Sequence, residues 1–132
     1  MYEKIRAALE TELYGVSGLP DIAPENVSYT PKTDKAFIKP HFVPVSRRPA
    51  VRGTDPQQRY DGLYRIYCHT PEGSGTFQSN QIVETLLTHF DATTDIEYED
   101  IYVSIDYADR NEGRVVGGWY QVVVDISWYS YG

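Results

Sequence analysis

Near its C-terminus the chain alternates strictly over a long run, and that period of two commits it to a sheet. Tyr120, Val122, Val124, Ile126 and Trp128 take every second position, with Gln121, Val123, Asp125, Ser127 and Tyr129 between them. Alternation places the two sets on opposite faces of one strand. The reading runs this strand over about residues 114–131, with Gly117-Gly118 as a bulge or bend within it. Residues 101–107 repeat the pattern, with Ile101, Val103, Ile105 and Tyr107 against Tyr102, Ser104 and Asp106. Residues 108–113 then read as a hairpin connection.

Two further strands precede these. In residues 59–69, Tyr60, Gly62, Tyr64, Ile66 and Cys68 share one face, and Asp61, Leu63, Arg65, Tyr67 and His69 share the other. Residues 36–45 form a strand carrying Pro40 and Pro44, which lack the ladder N–H and so assign it to an edge or a bulge. Between these two, residues 46–58 read as a long loop rich in Arg, Pro and Gly. Helical spacing appears twice: at Tyr2, Ile5, Ala8, Leu9 and Leu13, and at Ile82, Val83, Leu86, Leu87 and Phe90 in a helix from about Thr76. Gly15 to Pro20 stops the first helix, and Pro71 to Gly75 is a turn before the second. Residues 15–35 read as an irregular connection. The order predicts one α+β domain over residues 1–132, a mostly antiparallel sheet of about four strands with two helices packed on one face.

Composition narrows the function classes. The 132 residues are 41% hydrophobic and 23% charged, ordinary values for a folded domain. No apolar run is long enough for a membrane span. The N-terminal segment lacks the pattern of a secretory signal, and the single cysteine, Cys68, closes no disulfide within the chain, so assembly in a reducing cytoplasm is expected. The net charge of −7 argues against binding nucleic acid by wide phosphate neutralisation. Twelve tyrosines among 14% aromatics favour half-exposed sheets and protein interfaces.

Catalytic patterns are weak. His41, His69 and His89 are scattered, and each reads as structural. Cys68 reads as a small buried hydrophobe. Ser74 sits in Gly73-Ser74-Gly75, which is not a nucleophile elbow. No phosphate-binding glycine loop is found, and no cofactor is implied. Residues 91–112 hold eight acids against one arginine. They read as a solvated negative face, with a divalent-ion site as the weaker alternative.

Three features point to contacts with other chains. Residues 45–65 hold Arg47, Arg48, Arg52, Arg59 and Arg65 against Asp55 and Asp61, a basic stretch in an acidic chain. Arginines there fork onto carboxylates of another subunit, with phosphate contact or mere solubilisation as alternatives. A basic and an acidic segment on one domain make head-to-tail self-association reasonable, and such contacts close into rings. Finally, Trp119, Tyr129 and Tyr131 lie on the strand face away from the core. They serve either cross-strand contact or a subunit surface.

Together these elements resemble the tail terminator, or tail completion, proteins of long-tailed bacteriophages, the lambda-type minor tail family. The resemblance rests on the helix Tyr2 to Leu13, the Pro-bearing strand Ala36 to Val45 and the Arg/Gly/Pro segment Arg47 to Gly53. It rests also on the strand Arg59 to Ile66, the turn Pro71 to Gly75 before a helix ending near Phe90, and the aromatic strand Gly118 to Val124. It implies a structural, non-enzymatic virion protein that forms a homo-oligomeric ring, typically of six. The ring caps the head-proximal end of the tail tube, ends its polymerisation and offers the surface joined by the head–tail connector or stopper protein. Apart from the resemblance, the net charge of −7 fits a ring through which DNA passes without specific binding, and no membrane partner is expected. Another head–tail joining or tube component of related fold, or a small ligand-binding domain, are the alternatives. The expected subunit or tube contacts are Arg47, Arg48, Arg52, Arg59, Trp119, Tyr129 and Tyr131.

Overall fold

The computed structural model describes residues 1–53 and 56–132; Thr54 and Asp55, part of the expected 46–58 loop, lie outside the described residues. Helix α1 spans Tyr2–Tyr14, and its Ile5, Ala8, Leu9 and Leu13 are buried. It stops where the Gly15 N–H bonds back to the carbonyls of Thr11 and Glu12. Helix α2 spans Phe77–His89 and buries Ser79, Ile82, Val83 and Leu86. Burying each large aliphatic side chain contributes roughly 1.5–3 kcal/mol.

The described residues also form seven strands: β1 (Asp21–Ile22), β2 (Phe37–Pro49), β3 (Gln58–Pro71), β4 (Asp95–Tyr98), β5 (Ile101–Arg110), β6 (Arg114–Val116) and β7 (Trp119–Tyr131). They form one sheet in the order β1-β2-β3-β7-β5-β4, with β6 also paired to β7, curled into a half-barrel. Only β1 runs parallel to its neighbour, β2. At the centre, Arg59 to Pro71 of β3 pair without interruption with Tyr131 back to Trp119 of β7. The buried parity of these two strands (Tyr60, Tyr64, Ile66 and Cys68; Val122, Val124, Ile126 and Trp128) joins the buried face of both helices in one core.

The expected four-strand sheet is therefore corrected to seven strands, and α+β describes the fold only loosely. The extra strands are short. β1 has two residues and shows no period, and β4 lies inside the acidic run, where alternation of Ile96 and Tyr98 with acids is too brief to stand out. β6 falls within the stretch 114–131 expected as one strand. Gly117 and Gly118 have φ of 56° and 86°, both left-handed. They are the two-residue turn of a hairpin in which Val116 faces Trp119. The expected hairpin connection over residues 108–113 is accordingly corrected: Ala108 to Arg110 belong to β5, and Asn111 to Gly113 do not fold β5 back on β6. β5 and β6 lie on the same side of β7, and Asn111 bridges them by exchanging its N–H and Oδ1 with the Val123 backbone. Replacing Gly117 by alanine should lower stability by about 1 kcal/mol, because the left-handed backbone then carries a Cβ. A chemical-denaturation midpoint equal to that of the parent would contradict this turn assignment.

The two ends of the expected 46–58 loop are corrected as well, while Ala50 to Gly53 and Pro56 to Gln57 stay outside any strand. Ser46 to Pro49 continue β2 and pair with Asp61 back to Gln58, after a bulge between Pro44 and Ser46. Gln58 also exchanges two backbone hydrogen bonds with Gly132. The arginine-rich segment is thus largely a hairpin arm held from both sides, and its Pro and Gly content disguised the strand.

Candidate interface on the open face of the sheet

Pairing register defines a second face, turned away from the helices. It carries Lys39, His41 and Arg48 from β2; Arg59, Asp61, Leu63, Arg65 and Tyr67 from β3; and Val123, Asp125, Ser127, Tyr129 and Tyr131 from β7. Tyr102, Ser104, Tyr107 and Asp109 of β5, and Asp95 and Glu97 of β4, continue it. Charge is graded across this face: the β2–β3 side is basic, and the β5–β4 side is acidic. Arg65 and Asp125 neutralise each other in the middle, with Nε donating to Oδ1 at 2.7 Å.

The arm end of this face brings several predicted residues together. Arg59 lies over the Tyr129 ring, 4.5 Å from its centroid, and donates from Nη1 to the Tyr131 hydroxyl at 2.9 Å. The two tyrosine rings meet edge to face at 6.0 Å. Asp61 accepts from the Ser46 hydroxyl at 2.8 Å and has Arg59 Nε at 3.6 Å and Arg48 Nη2 at 3.8 Å. One carboxylate therefore faces two guanidiniums, and Arg48 remains exposed. Stacking on an aromatic ring holds Arg59 in place while leaving donor capacity for a partner.

The other predicted residues fall elsewhere. Arg47 points to the helix side, where its Nε donates to the Tyr60 hydroxyl at 3.3 Å. Arg52 is exposed beyond the arm. Trp119 is twelve residues from Tyr131 along β7, roughly 40 Å at about 3.3 Å per residue. There it meets Phe37 edge-on at 5.0 Å. Sequence reasoning missed Tyr102, Tyr107 and Val45, which are 61%, 54% and 65% exposed and make the face apolar as well as charged. The alternation of Tyr102 against Ile101 and Val103 held that signal. Across the middle, Val45, Leu63, Tyr107 and Ser127 border a shallow groove with Arg59 and Asp106 at its sides.

The two lateral edges are unlike. Along β2 the Ile38 carbonyl accepts from Ala23, and the Phe42 N–H donates to the Glu25 carboxylate at 2.8 Å. Positions 38, 40, 42 and 44 thus turn their backbone groups outward, so Pro40 and Pro44 remove outward N–H groups. Beyond the bulge, Ala50 donates inward to Gln57, which leaves Pro49 outward too. Three prolines and one carboxylate blunt this edge against strand addition. The opposite edge is β4, whose outward residues Asp95 and Glu97 keep their N–H groups but are acidic.

The remaining polar candidates make contacts within the chain. Cys68 faces the core, and burial pushes its thiol up to about 12, so it is protonated at neutral pH. His69, its neighbour, faces the opposite side. His41 meets Tyr67 edge-on at 5.2 Å, and His89 Nε2 lies 2.8 Å from Glu12 Oε1. The Ser74 hydroxyl donates to the Pro71 carbonyl within its turn. In the acidic run, Asp91 accepts from the Thr93 N–H, and Asp100 accepts from Lys4 at 2.7 Å. Among the described residues, no three His, Cys, Asp or Glu side chains gather as a metal-binding group.

A family model described as phage tail terminator protein matches residues 4–128. A solved structure superposes with a TM-score of 0.76 over 100% of this chain and 96% of its own, at 18% identity, and so shares the fold. No curated protein matches in sequence.

Proposed function

Since the chain belongs to the phage tail terminator family, a family of structural proteins of the virion tail, we propose that it closes the head-proximal end of the tail tube as a ring. The observation that carries this reading is the graded charge of the helix-free face. A basic flank with Arg48 and Arg59 and an acidic flank with Asp95, Glu97 and Asp109 belong to one molecule. Copies placed side by side in the same sense bring unlike charges together, which is a heterologous contact and closes when its rotation divides a full turn. The proposed ring has six copies. Tyr102, Tyr107, Tyr129 and Tyr131 supply the apolar area that such contacts need, since ion pairs at a wet rim contribute little alone.

Capping requires one axial face that fits the last ring of tube protein and another that cannot repeat it. The arm, with Arg47, Arg48 and Arg52, is the proposed tube or neighbour contact. The other pole, with the Gly117-Gly118 hairpin, is left for the connector or stopper protein. Many weak contacts repeated round a ring give strong attachment through effective concentration. The chain's net charge of −7 suits a conduit that passes DNA without holding it. Assembly takes place in the host cytoplasm on this reading, and the protein performs no catalysis.

Tails assembled without this protein should be overlong by electron microscopy; tails of normal length would overturn the capping role. Light scattering of the purified chain with tube protein should give a ring mass. Arg48→Glu with Arg52→Glu should weaken that assembly at least tenfold and flatten its salt dependence. An unchanged mass at every salt concentration would reject the arm as an interface.

A further inference from the structure

The connection between α1 and β2 takes no part in the charged face, yet it builds a pocket. Val27, Tyr29 and Pro31 of this connection and Phe37, Lys39 and His69 of the sheet line a cavity of about 300 Å³. Its lining mixes the carbon surface of Val27, Tyr29, Pro31 and Phe37 with the polar groups of Lys39 and His69. The Tyr29 ring lies 5.3 Å from Phe37, and Phe37 stacks on the His69 imidazole at 4.5 Å and 13°. His69 is only 8% exposed. Its Nε2 accepts from Gln121 Nε2 at 3.0 Å, which assigns the ring proton to Nδ1. That Nδ1 is buried and has no partner among the described residues. Lys39 is exposed beside it.

We infer that this cavity is a binding site for a carboxylate carried on an apolar stem. The imidazole N–H requires an acceptor, the Lys39 ammonium requires a negative charge, and the aromatic walls require carbon. A carboxylate on a short stem meets all three conditions. A phosphate does not, because one N–H and one ammonium satisfy few of its oxygens and the walls would strip its water. Burial holds His69 neutral near pH 7, with its pKa at about 4 and Lys39 adding to the shift. Lys39 is therefore the cation of the site. The carboxylate comes either from an Asp or Glu side chain of another protein chain or from a small free acid, and the two are separable.

Trp119 is a built-in reporter, with its ring 5.0 Å from Phe37 and 6.3 Å from His69. The 132-residue protein at pH 7 is titrated with benzoate while tryptophan emission is followed, and Trp119→Phe identifies the signal. Benzoate should produce a saturable change, benzamide none, and Lys39→Gln should weaken binding about tenfold. Because Lys39 is exposed, that variant keeps the fold, as circular dichroism will verify. A second titration uses the peptide of residues 91–100 of this chain as a protein-borne source of carboxylates. Saturation with the same Lys39 dependence assigns the site to acidic side chains of a partner chain; saturation by benzoate alone assigns it to free acids. The inference fails if neither probe saturates, if benzamide or inorganic phosphate binds as well as benzoate, or if Lys39→Gln binds both probes like the parent.

Discussion

Replacing Gly62 with valine should cost the fold about 3 kcal/mol or more, a large share of the stability of a domain this size. Gly62 lies between Pro44 of β2 and Trp128 of β7. A Cβ there would stand 2.4 Å from the Val43 carbonyl oxygen, 2.8 Å from a carbon of the Trp128 ring and 3.0 Å from the Pro44 Cα. None of these neighbours yields easily. Val43 is held in the β2–β3 ladder by its pairing with Leu63. Trp128 is fully buried and stacks on Phe42 at 5.3 Å and 9°. The β2 bulge after Pro44 and the β5 bulge after Ile105 flank the same point, and bulges bend strands. Gly62 is thus required for close approach where the sheet curls, and not for an unusual backbone angle. Gly15→Ala is the control, since its Cβ would meet nothing nearer than 3.5 Å. It should shift a urea midpoint by less than about 0.5 kcal/mol equivalent. Equal midpoints for the valine variant and the parent would show that the strands are not drawn together there.

Acid should weaken the protein through His69. Burial lowers its pKa from 6.5 to about 4 in the folded chain. The unfolded chain takes up a proton at this residue as pH falls through 6.5, whereas the folded chain resists until about 4. Stability is therefore complete above pH 6.5 and declines across that interval, reaching a loss of about 3 kcal/mol at 1.36 kcal/mol per unit. Urea unfolding at pH 7, 5 and 4 measures the decline. His69→Phe keeps an aromatic ring against Phe37 and removes the titration, so its slope over the same interval should be smaller. Identical slopes in the two proteins would mean that His69 is not buried in its neutral form. Carboxylates elsewhere, such as Asp91 and Asp100, titrate in both proteins and cancel in the comparison.

Alternation puts Tyr60 to Cys68 on one face of β3, but both of its faces carry apolar residues, and only the helices packed on it decide which one is the core. The parity of β3 and β7 was itself legible, because a buried face imposes its period on the side chains. Both helices were legible for the same reason. β1, β4 and β6 were not, since two to four residues hold too little period, and their pairing depends on where β2, β5 and β7 already lie. Gly117-Gly118 carried a hairpin signal that was absorbed by the long strand around it. For the interface, the arginine count was visible, but its division was not. Register turns Arg59 toward Tyr129 and Tyr131 and turns Arg47 to Tyr60 on the other side, because the bulge at Val45 resets the parity of β2.

From residues alone came the two helices, the four long strands and the excess of acid and tyrosine, all of which are properties of local pattern and composition; the family came from a resemblance in the order of those elements. Only the folded chain decided that the sheet has seven strands, that its edges differ, and that basic and acidic groups far apart in sequence share one open face. It also decided that an unpatterned connection closes over His69. These depend on which strands become neighbours, and neighbours are chosen by burial of one shared core rather than by any short segment of the chain.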